Sequence, residues 1–168
     1  MRKLTYHEGD IFSIPLRNGK VSIGVLARSQ KSGWSLLGYF FPYQFDTIPL
    51  PGELPTLTPE TAISVMRFSG LSLRKGEWKV ISKVDKWDEV RKHWKMPQFI
   101  RRTPIGGIAW LVDYADDDPS KEIATARCAF DLQGYYPDGA CGAGFVEIRL
   151  TRLINEGLAG GGGKEHTP

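Results

Sequence analysis

Three histidines, two cysteines and nineteen carboxylates are the groups from which this chain would have to build a hydrolytic or metal centre. The tightest grouping is HEGD, which sets His7, Glu8 and Asp10 within four positions. A zinc hydrolase asks for two or three histidines with carboxylates at helical or strand spacing, but His93 and His166 stand far from His7 in the sequence. At the start of a strand, HEGD therefore reads as turn and cap chemistry. A serine nucleophile would sit in a Gly-x-Ser-x-Gly elbow, and the chain contains none. Cys128 and Cys141 match no zinc spacing. Cys141, just ahead of a helix, is either a thiol activated by the helix N-terminus or a packed side chain; its small neighbours favour packing.

The stretch YYPDGACGAGFVEIRL (135–150) carries Gly139, Gly142 and Gly144, a spacing that invites a phosphate-cradling reading. A Walker-type loop needs Lys followed by Ser or Thr after its last glycine, and a dinucleotide fingerprint needs Gly-x-Gly-x-x-Gly after an apolar strand. Here Phe145 and Val146 follow the last glycine, and Tyr135-Tyr136-Pro137-Asp138 leads in as a turn. The stretch reads as a tight turn in which small residues let the backbone pass close to a neighbour.

Two charged segments remain. KVDKWDEVRKHWKMPQFIRR (83–102) holds seven Lys or Arg and three Asp or Glu among Trp87, Trp94 and Phe99. Cations between aromatics serve single-stranded nucleic acid or supply the hot spots of a protein interface. Equally, the aromatics could anchor an irregular segment to the core while the cations face water. Asp116-Asp117-Asp118-Pro119 is an acidic turn, of interest if a partner is basic. A net charge of +3 is too small to imply nucleic-acid binding by itself.

The elements that must position these groups follow from patterning. At 168 residues and 41% hydrophobic, the chain suffices for one well-packed domain, expected over 1–158, with 159–168 as a flexible glycine-rich tail. No apolar run reaches the roughly 18 residues of a membrane span, the N-terminus lacks a signal-peptide core, and two cysteines make no disulfide framework, so a cytoplasmic location is expected. Residues 10–16, 20–28 and 34–41 read as a β-meander joined by Arg17-Asn18-Gly19 and Lys31-Ser32-Gly33. Gly24 and Gly38 within it suggest bulges or strong curvature, as in a small, partly closed barrel.

Five prolines make 42–60 a long loop. Residues 61–73 are open between a strand and a short helix and favour the strand, with 76–82 as a possible neighbour; 86–94 gives one or two helical turns, 105–114 a buried strand and 121–130 an edge strand. From Val146 the apolar positions 146, 150, 153 and 154 share a helical face and Gly157 stops the helix, leaving Arg149, Arg152, Asn155 and Glu156 wet. The fold class expected is α+β: a curved, mainly antiparallel sheet with a C-terminal helix packed on it. Trp78 and Trp110, in strand-like runs, are expected to be structural.

The string EGDIFSIPLRNGKVSIGVLAR, LLGYFF, RFSGLSLRKGEWKVI, WKMPQFIRR and DGACGAGFVEIRLTRLI resembles the immunity protein 26 family over about Glu8 to Leu158. Its members neutralise toxins of bacterial polymorphic-toxin systems, and the same family label takes in a small phosphotriesterase-like protein. Carried over are Gly9-Asp10, Gly76, Trp78, Trp94 with Met96-Pro97 and Phe99, and Asp138, Gly139, Gly142 and Glu147, none with a known catalytic role. The resemblance implies a protein that binds a cognate toxin by protein–protein contact, with no cofactor, metal, nucleic acid or membrane. The contact residues expected are Trp94, Arg101, Arg102, Asp116, Asp117 and Asp118. The alternative, an organophosphate triester hydrolase, would draw on His7, Asp10, Asp138 and Glu147.

Overall fold

A computed structural model describes residues 5–157. The glycine-rich tail, with His166, lies outside the described residues. In chain order the elements are β1 (Asp10–Pro15), β2 (Val21–Ser29), β3 (Ser35–Phe40), β4 (Ser64–Ser69), α1 (Leu71–Lys75), β5 (Val80–Lys83), α2 (Trp87–Val90), β6 (Phe99–Thr103), β7 (Ile108–Ala115), β8 (Asp118–Cys128), β9 (Tyr136–Pro137), β10 (Ala140–Cys141) and α3 (Ala143–Asn155).

They form two sheets, ordered β10-β4-β3-β2-β1-β5 and β8-β7-β6-β9. Pairing is antiparallel except β10 on β4 and β9 on β6, which are parallel. The fold is α+β as expected, but the strands divide between two stacked sheets and neither closes into a barrel.

The six-stranded sheet is the middle layer, and strand periodicity explains its composition. Alternate side chains point to opposite faces. Phe12, Ile14, Leu36, Phe40, Met66 and Phe68 face α3, where Val146, Leu150 and Leu153 meet them. Ile11, Ile23, Val25, Leu37, Tyr39 and Val65 face the four-stranded sheet and meet Phe99, Val112 and Tyr114. With both faces covered, β2 and β3 carry near-continuous apolar runs instead of alternating ones, as sheets buried on both sides do.

Gly24 and Gly38 have a different reason from the curvature expected of them. A Cβ at Gly24 would lie 2.8 Å from the Phe12 ring, and one at Gly38 2.8 Å from Phe40 and 2.9 Å from Phe68. Both glycines make room for aromatic rings in the core. The register shift in β2 falls later, between Leu26 and Arg28. Gly38→Ala is expected to cost about 1–3 kcal/mol, because the rings it meets are themselves close-packed. Urea denaturation of the variant measures this, and an unchanged midpoint would contradict it.

Several boundaries differ from the sequence reading. The 61–73 run is a strand only to Ser69; α1 follows, ended by Gly76 in left-handed conformation (φ +74°). The 76–82 segment contributes β5, which pairs with β1 and not with β4. Trp78, inserted beneath the sheet against Phe12 and Phe68, carries the chain to the opposite edge. Phe99–Thr103, read as part of an irregular basic segment, is a strand whose arginines mask its pattern. α3 starts at Ala143, three residues before the first apolar position of its face, and Gly157 follows it at φ +67°. Among the described residues, no helix is long and apolar enough to cross a membrane.

Candidate functional site

The 135–150 stretch is the stitch between the sheets. Tyr136–Pro137 adds to β6, and three residues on, Ala140–Cys141 adds to β4. Asp138 stands at the crossing, its N–H donating to the Ile100 carbonyl at 2.8 Å. Its carboxylate accepts from Arg67 Nη2 at 2.9 Å, Tyr114 Oη at 2.8 Å and Arg101 Nε at 2.8 Å. Arg67 comes from β4, Tyr114 from β7 and Arg101 from β6, so one carboxylate ties both sheets. The side chains of Arg67 and Asp138 are 8% and 4% exposed.

Arg67 also donates to the Pro119 carbonyl at 3.0 Å and lies 3.7 Å over the Tyr114 ring. Arg101 pairs with Glu122 at 2.8 Å, and that hydrogen bond first, with the one to Asp138, raises its pKa further. Burial pushes the Asp138 carboxyl up, but the hydrogen bonds from Tyr114 and Arg101 and the Arg67 charge outweigh it and hold the group below its ordinary value. A carboxylate with both oxygens occupied is a clamp, not a free base. The glycines nearby are not needed for close approach: a Cβ at Gly139 or Gly142 would meet nothing within 4 Å. That part of the turn reading is corrected.

The other residues named for a hydrolase lie elsewhere. His7 and Asp10 meet in the turn before β1, where Asp10 Oδ2 accepts from the His7 N–H at 2.7 Å. Glu147 on α3 accepts from Trp78 Nε1 at 3.0 Å and pairs with Arg17 at 3.3 Å. His7 and Asp10 are the only two of the four that the structure brings into contact. Burial raises the Cys141 thiol pKa, which suits a packed cysteine and not an activated one. Among the described residues, no group of three or more His, Cys, Asp or Glu is placed to hold a metal ion.

The residues expected at a partner face divide sharply. Trp94 is 2% exposed, packed edge-on against Tyr39 at 5.1 Å and beside Trp87 at 6.1 Å, so its indole is core. Its expected place on an exposed face is corrected: Tyr39, Phe41 and Trp87 cover the ring, whose large apolar surface gains from removal from water. Arg101 belongs to the Asp138 clamp, and Arg102 donates to the Phe130 and Leu132 carbonyls.

Asp116, 58% exposed, bridges the buried Arg28 at 2.8 Å and Arg91 at 3.3 Å, and Arg91 in turn pairs with Glu8 at 2.6 Å. Burial works against the Asp116 charge, but Arg28 and Arg91 prevail and lower its pKa. Asp118 accepts from Ser120, which likewise lowers its pKa. Asp117 projects into solvent. The acidic turn is thus an exposed feature braced from beneath by two arginines.

Sequence reasoning missed two surface features. Phe145 and Ile148, 54% and 57% exposed, stand one turn apart on the outer side of α3. A pocket of about 480 Å³ opens between the proline-rich loop 55–60 and the 83–94 segment, with Ile11 and Trp94 at its base. Neither leaves a local signal: the first breaks the helical pattern, and the second joins segments distant in the chain.

The family model described as immunity protein 26 matches residues 7–110, which hold β1 to the start of β7, the pocket and the Arg28–Arg91–Glu8 brace. No curated protein and no solved structure matches the chain. The matched span covers well over half of the sequence and every strand of the middle sheet but the two-residue β10, so the chain belongs to the immunity protein 26 family.

Proposed function

We propose that this protein binds a cognate toxin in the cytoplasm and blocks it by direct protein–protein contact. Family membership over residues 7–110 carries the reading. What supports a contact mechanism is the use to which the acidic and basic groups are put: they clamp sheets together or brace an exposed turn, and the turn presents carboxylates outward. A toxin that acts on nucleic acid has a basic face for phosphates, and Asp116 and Asp117 complement it.

The test is co-expression with the product of the adjacent gene, followed by pull-down and growth rescue. Asp117→Lys is the clean probe, because Asp117 is exposed, whereas reversing Asp116 would also strand Arg28 and Arg91. It is expected to slow association about tenfold, with a weakened salt dependence, while leaving thermal stability unchanged. Unaltered association kinetics would remove this turn from the interface. If no adjacent gene product binds or is neutralised, the immunity reading fails. Turnover of a paraoxon-like triester that depends on Asp10 or Glu147 would replace it with the hydrolase.

A further inference from the structure

The pocket beneath loop 55–60 has a built interior. Its apolar lining comes from Ile11, Leu57, Val84, Val90 and Trp94, and its outer wall from a loop stiffened by Pro55 and Pro59. Its volume, about 480 Å³, exceeds any one side chain and suits a small ligand or the tip of a loop. Two exposed carboxylates, Glu60 and Asp85, stand at the rim, and among the described residues neither has an ion pair. Lys83 and His93 share that rim. The Lys83 stem runs over Gly9, its Cε 3.1 Å from where a Cβ would be, and its charge acts on Asp10. At the rim the two carboxylates outnumber the one lysine.

One segment of chain links the pocket to the acidic turn. Val90 and Trp94 line it, while Arg91 between them reaches the other way to Glu8 and Asp116. One short segment thus joins an apolar recess to the exposed carboxylates of the face proposed for the toxin. Interface hot spots seat in well-packed pockets from which surrounding contacts exclude water.

We infer that this pocket receives a loop tip of the toxin carrying an arginine or lysine beside an apolar side chain, the apolar group against Leu57, Val84 and Val90 and the cation between Glu60 and Asp85. The inference rests on the toxin-binding reading and names where and by what chemistry contact is made. The pocket is separate from the exposed Phe145–Ile148 patch on α3.

Two variants at exposed positions test it without touching the core: Glu60→Lys with Asp85→Lys, and Thr56→Trp, which fills the mouth. Each is expected to weaken binding of the adjacent gene's toxin at least about tenfold, the first mainly through slower association and the second through faster dissociation, with melting temperatures unchanged. In parallel, the peptide Ac-Leu-Arg-Phe-Arg-NH2 is expected to shift the methyl resonances of Leu57, Val84 and Val90 saturably, and Ac-Leu-Glu-Phe-Glu-NH2 is not.

Toxin binding unaffected by both variants overturns the inference, as do peptide shifts that are absent or equal for the two peptides. Loss of toxin binding in Phe145→Asp/Ile148→Asp, with the pocket variants unaffected, moves the interface to α3. Self-association of the protein alone that the pocket variants abolish assigns the recess to a second copy. If the wild type binds no toxin yet shows selective shifts with the basic peptide, the immunity reading fails while the chemistry of the pocket stands.

Discussion

Replacing Asp138 by alanine is expected to destabilise the protein by about 3–5 kcal/mol, because it leaves the Arg67 charge buried and unpaired. Arg67 would keep the Pro119 carbonyl and the Tyr114 ring, but neither supplies a compensating negative charge. The loss should appear as a lower urea midpoint with little change in slope. Because Asp138 joins both sheets, the variant should also increase amide exchange in β6 and β7 before global unfolding. Asp138→Leu with Arg67→Met, apolar and of similar bulk, is expected to recover part of the stability, since well-packed apolar residues can replace a buried ion pair. A fully stable Asp138→Ala would show that the clamp contributes nothing.

The same residue sets an acid dependence. Its folded pKa lies below the ordinary carboxylate value of about 4, so the folded state binds fewer protons there than the unfolded chain. The stability it contributes is complete above the ordinary value and is lost as pH falls through the lower folded value. Asp10, raised by burial, acts with opposite sign: its contribution declines as pH rises past the ordinary value. Stability measured against pH in wild type and Asp138→Ala should therefore converge on the acid side. Parallel curves would refute the assignment.

Trp78→Ala is expected to have a comparable effect, about 3–5 kcal/mol, by opening a cavity in the core beneath the middle sheet. The indole stacks on Phe12 at 5.6 Å and 6°, tilts against Phe68 at 5.6 Å, and donates Nε1–H to Glu147 on α3. Trp78→Phe keeps most of the apolar area but loses that hydrogen bond, for a cost of about 1–2 kcal/mol. Glu147→Gln then provides the control, since it keeps an acceptor for Nε1 while removing the Arg17 ion pair. Trp110, on the outer side of the second core and only partly buried, should cost less than Trp78 on truncation. Equal melting temperatures for Trp78→Ala and wild type would refute the structural role.

Much of the fold was legible because its signals are local. Near-continuous apolar runs at 21–29 and 35–40, separated by a glycine turn, specify adjacent strands whatever lies above and below them. Val146, Leu150 and Leu153 specify the buried side of α3 by spacing alone. The acidic turn reads as exposed because successive aspartates have no alternative. The partner of each strand was less legible: β5 goes to β1 because Trp78 sits under the sheet, a fact about a ring and its pocket and not about the residues of β5.

By itself the sequence determined an α+β chain, a family, and a set of turns, strands and one amphipathic helix, because those depend on neighbours in the chain. Tertiary structure alone decided that Trp94 is buried in the core, and that Arg101 belongs to a clamp. It also decided that Asp138 meets Arg67 and Tyr114, and that loop 55–60 closes a recess against Val84 and Val90. The physical reason is the same in each case. An aromatic ring or a charge is assigned to core, clamp or surface by what the second sheet covers, and that depends on how two layers dock and not on the periodicity of either.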